Sequence, residues 1–304
     1  MGQTEQFHIR SIPELHELFD QHSPVKHPLI SLIDFSSFVH GPHAARRVQF
    51  DLYGIIHSNK CADVIAYGQT DHDFDNGTML FAKPGQVWEA EALDAPVQKD
   101  GWALYFHPDL LLNSKLADTL HTYSFFDYSV REALHLSDRE KQTLTQLAWT
   151  IEEEISQNLD KHSRELVVGN LELILKYSNR FYDRQFITRE TSNNVIVRRF
   201  AQFLKEYIGS GRLRKDGLVS VQQSAEHLQI SPNYLSDLLK KETGKNATEH
   251  IHLAVVEQAK KKLQHTAGSI KEIAYELGFE YASSFSKMFK NATGLTPSVY
   301  RTLN

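Results

Sequence analysis

The sequence predicts an α+β protein of two domains: a β-rich part with flanking helices, then an all-α part containing two helix-turn-helix units. Three observations point there. Short β-rich runs separated by turn signals lie between Leu29 and about Phe126; helical spacing dominates from Pro108 onward; and a stretch near the C-terminus repeats an earlier one. The boundaries that follow are residues 1–187, a linker over 188–194, and residues 195–304.

Composition agrees. At 304 residues the chain can build two cores, and 41% hydrophobic with 23% charged residues is ordinary for a globular protein. A single cysteine, Cys61, excludes an intramolecular disulfide framework and suits a reducing compartment. The N-terminus has no basic region leading into an apolar run, so the expected location is the cytoplasm. The net charge of −5 conceals an asymmetry. Residues 195–304 hold 16 Lys+Arg against 10 Asp+Glu, whereas residues 1–194 hold 17 against 28. A basic last part on an acidic first part suggests that only the last part meets a polyanion.

Taken in order, residues 1–28 are polar, with a short helix expected over Ile12–Asp20. Strands are expected at Leu29–Val39, Val48–His57, Val64–Gln69, Met79–Ala82, Val87–Ala90 and Trp102–His107. The turns between them are Gly41-Pro42, Asp75-Asn76-Gly77, Lys83-Pro84-Gly85 and Asp100-Gly101. Such spacing without intervening helices argues for a β-sandwich or small barrel. A helix follows over Asp109–Leu120. Ser137 and Glu140 then form a capping box ahead of Leu144, Leu147, Ala148, Ile151 and Ile155 on one stripe. The helix at Arg164–Phe186 has a broad apolar face, which can cover the β part or pair with a second copy. Thr188–Asn194 is short and polar, as a linker is. Beyond it, helices are expected at Val195–Ile208, from the cap Ser220 to His227, from Ser231-Pro232 to Glu242, from Asn246 to Gln264, and from Ser269 onward.

Ser269–Gly294 is the most informative stretch. Ser269 and Glu272 form a capping box, and Ile270, Ile273, Ala274 and Leu277 follow at helical spacing. Gly278 ends the first helix, and the second turns Phe285, Met288 and Phe289 inward. Two helices around a glycine turn are the arrangement that places a recognition helix in a DNA major groove. Ser220–Gly244 is a second copy. Ala225 and Leu228 match Ala274 and Leu277 at an offset of 49, and Leu235, Leu239, Lys240 and Gly244 match Phe285, Phe289, Lys290 and Gly294 at 50. If both second helices enter one face of B-DNA they should lie ~34 Å apart.

With Ala225…Leu228…Ser231-Pro-Asn-Tyr-Leu-Ser…Lys240-Lys-Glu-Thr-Gly244 and Ile270…Ile273-Ala…Leu277-Gly-Phe279…Phe285…Phe289-Lys290…Gly294-Leu-Thr-Pro297…Tyr300-Arg301 in view, the last hundred residues resemble the AraC-type (AraC/XylS) bacterial transcription regulators. The resemblance implies binding of double-stranded promoter DNA, contact with RNA polymerase, a homodimer, and a cupin-like N-terminal β-barrel for sensing and dimerisation that takes a small-molecule effector. It also implies a protein that is not an enzyme and needs no cofactor.

By the same resemblance the base-facing positions are Asn233, Ser236 and Asp237 in the first recognition helix, and Ala282, Ser283, Ser286 and Lys287 in the second. Asn233 suits adenine and Lys287 guanine, while Asp237 suits cytosine N4 but repels phosphate. Lys240, Lys241, Lys245 and Lys290, near helix ends, read as DNA backbone contacts; the Lys260-Lys261-Lys262 run reads as a solvated face. A metal cupin would need a His-x-His pair with a downstream glutamate. His40, His43, His57, His72 and His107 do not supply that set, so no metal is expected, and the alternative reading is a metal-dependent cupin enzyme carrying a DNA-binding domain. Tyr53, Trp88, Trp102 and Tyr105 are candidates to line an effector pocket or simply the core.

Overall fold

The computed structural model describes residues 5–19, 24–37, 46–58, 77–90, 100–188 and 190–303. The chain forms two compact units, Met1–Ile187 and Thr188–Asn304. Each is described by itself.

The first unit starts with β1 (Glu5–Ile9) and helix α1 (Ile12–Leu18), which Ser11 caps by accepting a hydrogen bond from the Glu14 N–H. Then come β2 (Ile30–Asp34), β3 (Arg46–Phe50), β4 (Tyr53–Ser58), β5 (Thr78–Ala82), β6 (Val87–Ala90) and β7 (Gly101–Phe106). A short α2 (Lys115–Thr119), β8 (Leu134–His135) and two long helices, α3 (Asp138–Ile155) and α4 (Ser163–Thr188), complete it. One sheet has the order β1-β3-β6, with β1 and β3 parallel; the other is antiparallel in the order β2-β7-β4-β5-β8.

Val48 and Phe50 of the smaller sheet share one buried cluster with Ile33, Ile56, Leu80 and Tyr105 of the larger. The larger sheet's other face meets helices: Trp102 Nε1 donates to Thr145 Oγ1 of α3 at 3.0 Å, and Phe81 meets Tyr182 of α4 at 6.2 Å. Covered on both sides, its strands are continuous apolar runs rather than alternating ones, and β5 is buried throughout.

Several expectations need correction. Among the described residues the strands form two open sheets, not a closed barrel. Val48–His57 is two strands, because the chain breaks at Asp51 and Leu52 and passes from one sheet to the other. The Asp51 N–H donates to Ile9 O at 2.8 Å, and the Leu52 side chain is fully buried at the crossing. Leu29–Val39 is extended only to Asp34, whose carboxylate accepts from the Ser36 N–H at 2.9 Å and turns Phe35–Ser37 into a 3-10 helix. The helix expected over Asp109–Leu120 is broken at Asn113, which sits at φ 62°. Strand β1 lies in a stretch read as merely polar, although Phe7 and Ile9 alternate with Gln6 and His8. The strand Val64–Gln69, the turn Gly41-Pro42, Asp75-Asn76, Cys61, His40, His43 and His72 lie outside the described residues.

The second unit is helical: α5 (Glu190–Gly209), α6 (Arg212–Asp216), α7 (Val221–Leu228), α8 (Pro232–Thr243), α9 (Ala247–His265), α10 (Ile270–Glu276), α11 (Ala282–Thr293) and α12 (Pro297–Leu303). Residues 190–194, expected in the linker, are helical. Asn193 is 1% exposed and its Nδ2 donates to Glu242 Oε1 at 2.8 Å, a tertiary hydrogen bond that outweighs the modest helix propensity of Thr, Ser and Asn. Among the described residues no helix is long and apolar enough to cross a membrane, and no group of three or more His, Cys, Asp or Glu side chains is placed to hold a metal ion.

His57 gives the first unit a pH dependence. It is 3% exposed, its Nδ1 lies 3.1 Å from Thr78 O, and its ring meets the Trp102 edge at 5.8 Å. Burial lowers its pKa below 6.5, against the opposing hydrogen bond to Thr78. The unfolded chain therefore takes up the proton first. The stabilisation is complete above pH ~6.5 and declines as pH falls below it toward the folded-state pKa. All three tryptophans (Trp88, Trp102, Trp149) belong to this unit, so their fluorescence reports its unfolding alone. The urea midpoint should fall between pH 7.5 and 5.5, and His57→Gln should lose part of that fall.

Candidate nucleic-acid interface

The two helix-turn-helix units are built by the same local rules. Ser220 with Gln223 and Ser269 with Glu272 form capping boxes that start α7 and α10. The hydrogen bond from the Ser269 N–H holds the Glu272 carboxyl below the usual carboxylate range. Each of these helices ends on a left-handed residue, Gln229 at φ 60° and Gly278 at φ 84°. Each ending is closed by the same bond, Ile230 N–H to Ala225 O at 3.1 Å and Phe279 N–H to Ala274 O at 3.0 Å.

These pairs are 49 residues apart, whereas the next N-caps, Ser231 and Tyr281, are 50 apart. The extra residue in the second turn is therefore Glu280. Glutamine is tolerated in the first turn, but the second requires glycine: a Cβ on Gly278 would lie 2.6 Å from Leu213 O and 2.9 Å from Gly217 C.

The duplication runs past the recognition helices. Gly244 and Gly294 end α8 and α11 at φ 76° and 77°. Thr243 Oγ1 donates to Leu239 O at 2.7 Å and Thr293 Oγ1 to Phe289 O at 2.8 Å. A helix follows each, α9 after Asn246 and α12 after Thr296. His250 of α9 hydrogen-bonds Thr243 at 2.7 Å, and Tyr300, its counterpart in α12, packs edge-on to Phe289 at 5.4 Å. Each copy is thus a three-helix unit.

Both copies share one core. Ala225, Leu228, Leu235 and Leu239 of the first and Ala274, Leu277, Phe285 and Phe289 of the second join Ile251, Val255, Val256, Ala259 and Leu263 of α9 in one buried cluster. α9 packs on α5, α8, α10, α11 and α12, and so fixes one recognition helix relative to the other.

On the outward face, Asn233, Ser236 and Asp237 are half-buried and share one side of α8. Asn233, Asp237 and Lys241 already take part in interactions within the protein. On α11, Ser283 and Lys287 are exposed, while Ala282 is half-buried against the core. Ser286 donates its hydroxyl hydrogen to Ala282 O at 2.9 Å, which leaves it an acceptor. Lys240, Lys241, Lys245 and Lys290 are all exposed. Lys240, Lys245, Lys287 and Lys290 make no ion pair among the described residues, whereas Lys260 and Lys262 pair with Glu257 and Glu276. That leaves α8 and α11 with cations available to a polyanion, whereas on α9 two of the three lysines of the run are paired and Lys261 is exposed without an ion pair among the described residues.

Two features escaped the sequence reading. Tyr281, 61% exposed, occupies the N-cap of α11 and supplies no side-chain capping hydrogen bond. The 50-residue offset pairs it with Ser231, which does cap α8, so the repeat itself carried the signal. The second is a groove along α5, for which no spacing gave notice.

The first of these features is testable. Tyr281→Ser should provide the missing cap and stabilise α11 by ~0.5–2 kcal/mol. Hydrogen exchange on α11 amides of the full chain should slow accordingly; unchanged exchange would mean that the first-turn N–H groups are already satisfied.

The helix-turn-helix domain family matches residues 224–302. An uncharacterized HTH-type transcriptional regulator of Bacillus subtilis, YtdP, is 34% identical over 83 residues, 27% of this chain and 11% of that protein. The HTH-type transcriptional activator RhaR of Cronobacter sakazakii is 35% identical over 81 residues, 27% of this chain and 29% of RhaR. The chain thus spans under a third of either relative. Among solved structures, the C-terminal domain of the response regulator AraT from Geobacillus stearothermophilus is 31% identical over 36% of this chain and 85% of that one, with a TM-score of 0.32. Residues 224–302 are a helix-turn-helix domain of the AraC/XylS type found in bacterial transcription regulators.

Proposed function

We propose that the chain is a sequence-specific DNA-binding regulator of transcription, with α8 and α11 in successive major grooves of promoter DNA. The observation that carries this is the duplicated helix-turn-helix pair, both copies packed on one helix, α9. A single scaffold holding two equivalent helices is what reading two half-sites on one face of DNA requires. In this reading Asn233, Ser236, Asp237, Ala282, Ser283, Ser286 and Lys287 face the bases, and Lys240, Lys241, Lys245 and Lys290 meet phosphates. Among the base-facing positions of α11, Lys287 is the only long donor, so backbone contacts supply much of its affinity.

The first unit is the cupin-like sensor and dimerisation part of this reading, and the protein is a cytoplasmic regulator rather than an enzyme. Trp102 and Tyr105 are core residues, 3% and 7% exposed. Trp88 is different. Its indole N–H is buried without an acceptor among the described residues, beside a cavity of about 10 Å³ walled by Phe81, Phe125, Tyr128 and Tyr182. That space holds about one water, so a small-molecule effector there requires the aromatic wall to move. For the homodimer, α4 offers Leu166 and Leu173, 52% and 44% exposed and two turns apart, with open space at Gly169 between them.

Two experiments test this. The 304-residue chain and a fragment of residues 188–304 should bind a genomic promoter over random DNA with steep salt dependence. Lys287→Ala should cost ~1–3 kcal/mol of specific binding and leave non-specific binding almost unchanged. A folded protein that prefers no genomic site would sink the reading. Separately, Leu166→Asp with Leu173→Asp should convert a dimer to a monomer in sedimentation, with the first unit still folded because both side chains are exposed in one chain.

A further inference from the structure

The second unit holds five tyrosines, Tyr207, Tyr234, Tyr275, Tyr281 and Tyr300. Four are held within the protein. Tyr207 donates its hydroxyl hydrogen to Gly217 O at 3.1 Å, and Tyr234 is 6% exposed. Tyr275 lies beneath the Lys271 ammonium at 5.8 Å, and Tyr300 packs on Phe289. The Tyr281 side chain makes no hydrogen bond, ring contact or ion pair among the described residues. It is also the most exposed large apolar side chain described in this unit.

Its place is specific. Tyr281 precedes Ala282, the first residue of α11, in extended backbone at φ −123° and ψ 128°. In the first copy the repeat puts Ser231 there, whose hydroxyl accepts from the Tyr234 N–H at 3.2 Å. The second copy forgoes that bond and leaves an aromatic ring in water. Neither choice helps the fold.

We infer that Tyr281 reads DNA: its ring packs against the C5-methyl group of one thymine in the major groove that α11 enters. The proposal rests on the DNA-binding reading above and adds a residue outside the seven base-facing positions.

The chemistry selects that target. The N-terminal residues of a recognition helix are the ones that reach base edges. On those edges the thymine methyl is the apolar feature, and apolar side chains recognise it. A phosphate is disfavoured, because the exposed carboxylate of Glu280 immediately precedes the ring. Ala282 is turned partly into the core and Ser283 offers only a hydroxyl, so the ring supplies the apolar reach that this end of α11 otherwise lacks.

The test uses the 304-residue chain on promoter DNA that it binds, with each thymine of the site replaced in turn by uracil, which removes only the methyl. At one position the replacement should weaken wild type about fourfold, the worth of one methyl group taken out of water. Tyr281→Ser should bind the thymine site at least fourfold more weakly, with an unchanged salt slope, and should not distinguish uracil from thymine at that position. Its circular dichroism should match wild type, since serine supplies a cap. Tyr281→Phe should keep the discrimination. The proposal is overturned if Tyr281→Ser binds and discriminates like wild type. It is equally overturned if Tyr281→Phe behaves like Tyr281→Ser, which would put the contact at the hydroxyl, or if the salt slope becomes shallower, which would make it a phosphate contact. A wild-type chain that binds no promoter brings down the DNA-binding reading, and this proposal with it.

Discussion

The burial of α9 is the constraint on which the second unit depends. Its buried face carries Ile251, Val255, Val256, Ala259 and Leu263, and helices from both repeats pack onto it. A helix of 19 residues is ~28 Å long at 1.5 Å per residue. Two short helix pairs, each too small to hold a fixed orientation alone, are thereby joined through one rigid rod. Ala259, fully buried, shows how closely the neighbouring helices approach it. A larger side chain there would have to displace a neighbouring helix, because packed interiors have little room to give.

The two copies solve the same problem with different residues, and the differences are informative. The first turn places glutamine in the left-handed region and a serine at the next N-cap; the second uses glycine there and tyrosine at the cap. Gly278 is dictated by contact with the backbone of Leu213 and Gly217, so the second turn is pressed against the end of α6. In the first turn Gln229 is exposed and its side chain is accommodated. Tyr281 gives up a capping bond and exposes its ring beside the outward face of α11. A broken local rule of this kind is where function and stability diverge.

The first unit follows another logic. Its larger sheet is covered on both faces, by the smaller sheet and by α3 and α4, so its strands could not advertise one buried face by alternation. The same double burial explains the low pKa of His57, held between Thr78 and Trp102 under α3. It also explains why the aromatics proposed for a pocket divide as they do. Trp102 and Tyr105 belong to packed layers, whereas Trp88, at the edge of the smaller sheet, has an indole N–H without an acceptor among the described residues.

Local chemistry decided what was readable beforehand. Capping boxes at Ser137, Ser220, Asn246 and Ser269 start helices where expected, because a cap is satisfied by residues within one turn. The repeat of Ala225 and Ala274, Leu239 and Phe289, was visible for the same reason: each copy folds on its own inward pattern. Tertiary structure decided the rest. The break at Asp51-Leu52 exists because two sheets must be linked, and the helical start at Glu190 exists because Asn193 finds Glu242, 49 residues away. The closed barrel expected for the first unit gave way to two open sheets among the described residues, since strand order depends on pairings that no local pattern encodes. The α5 groove likewise joins residues of two helices that only packing brings together. The sequence by itself determined the helix-turn-helix pair, through contacts a few residues apart; the tertiary fold alone decided how its two halves are held and which cations remain unpaired.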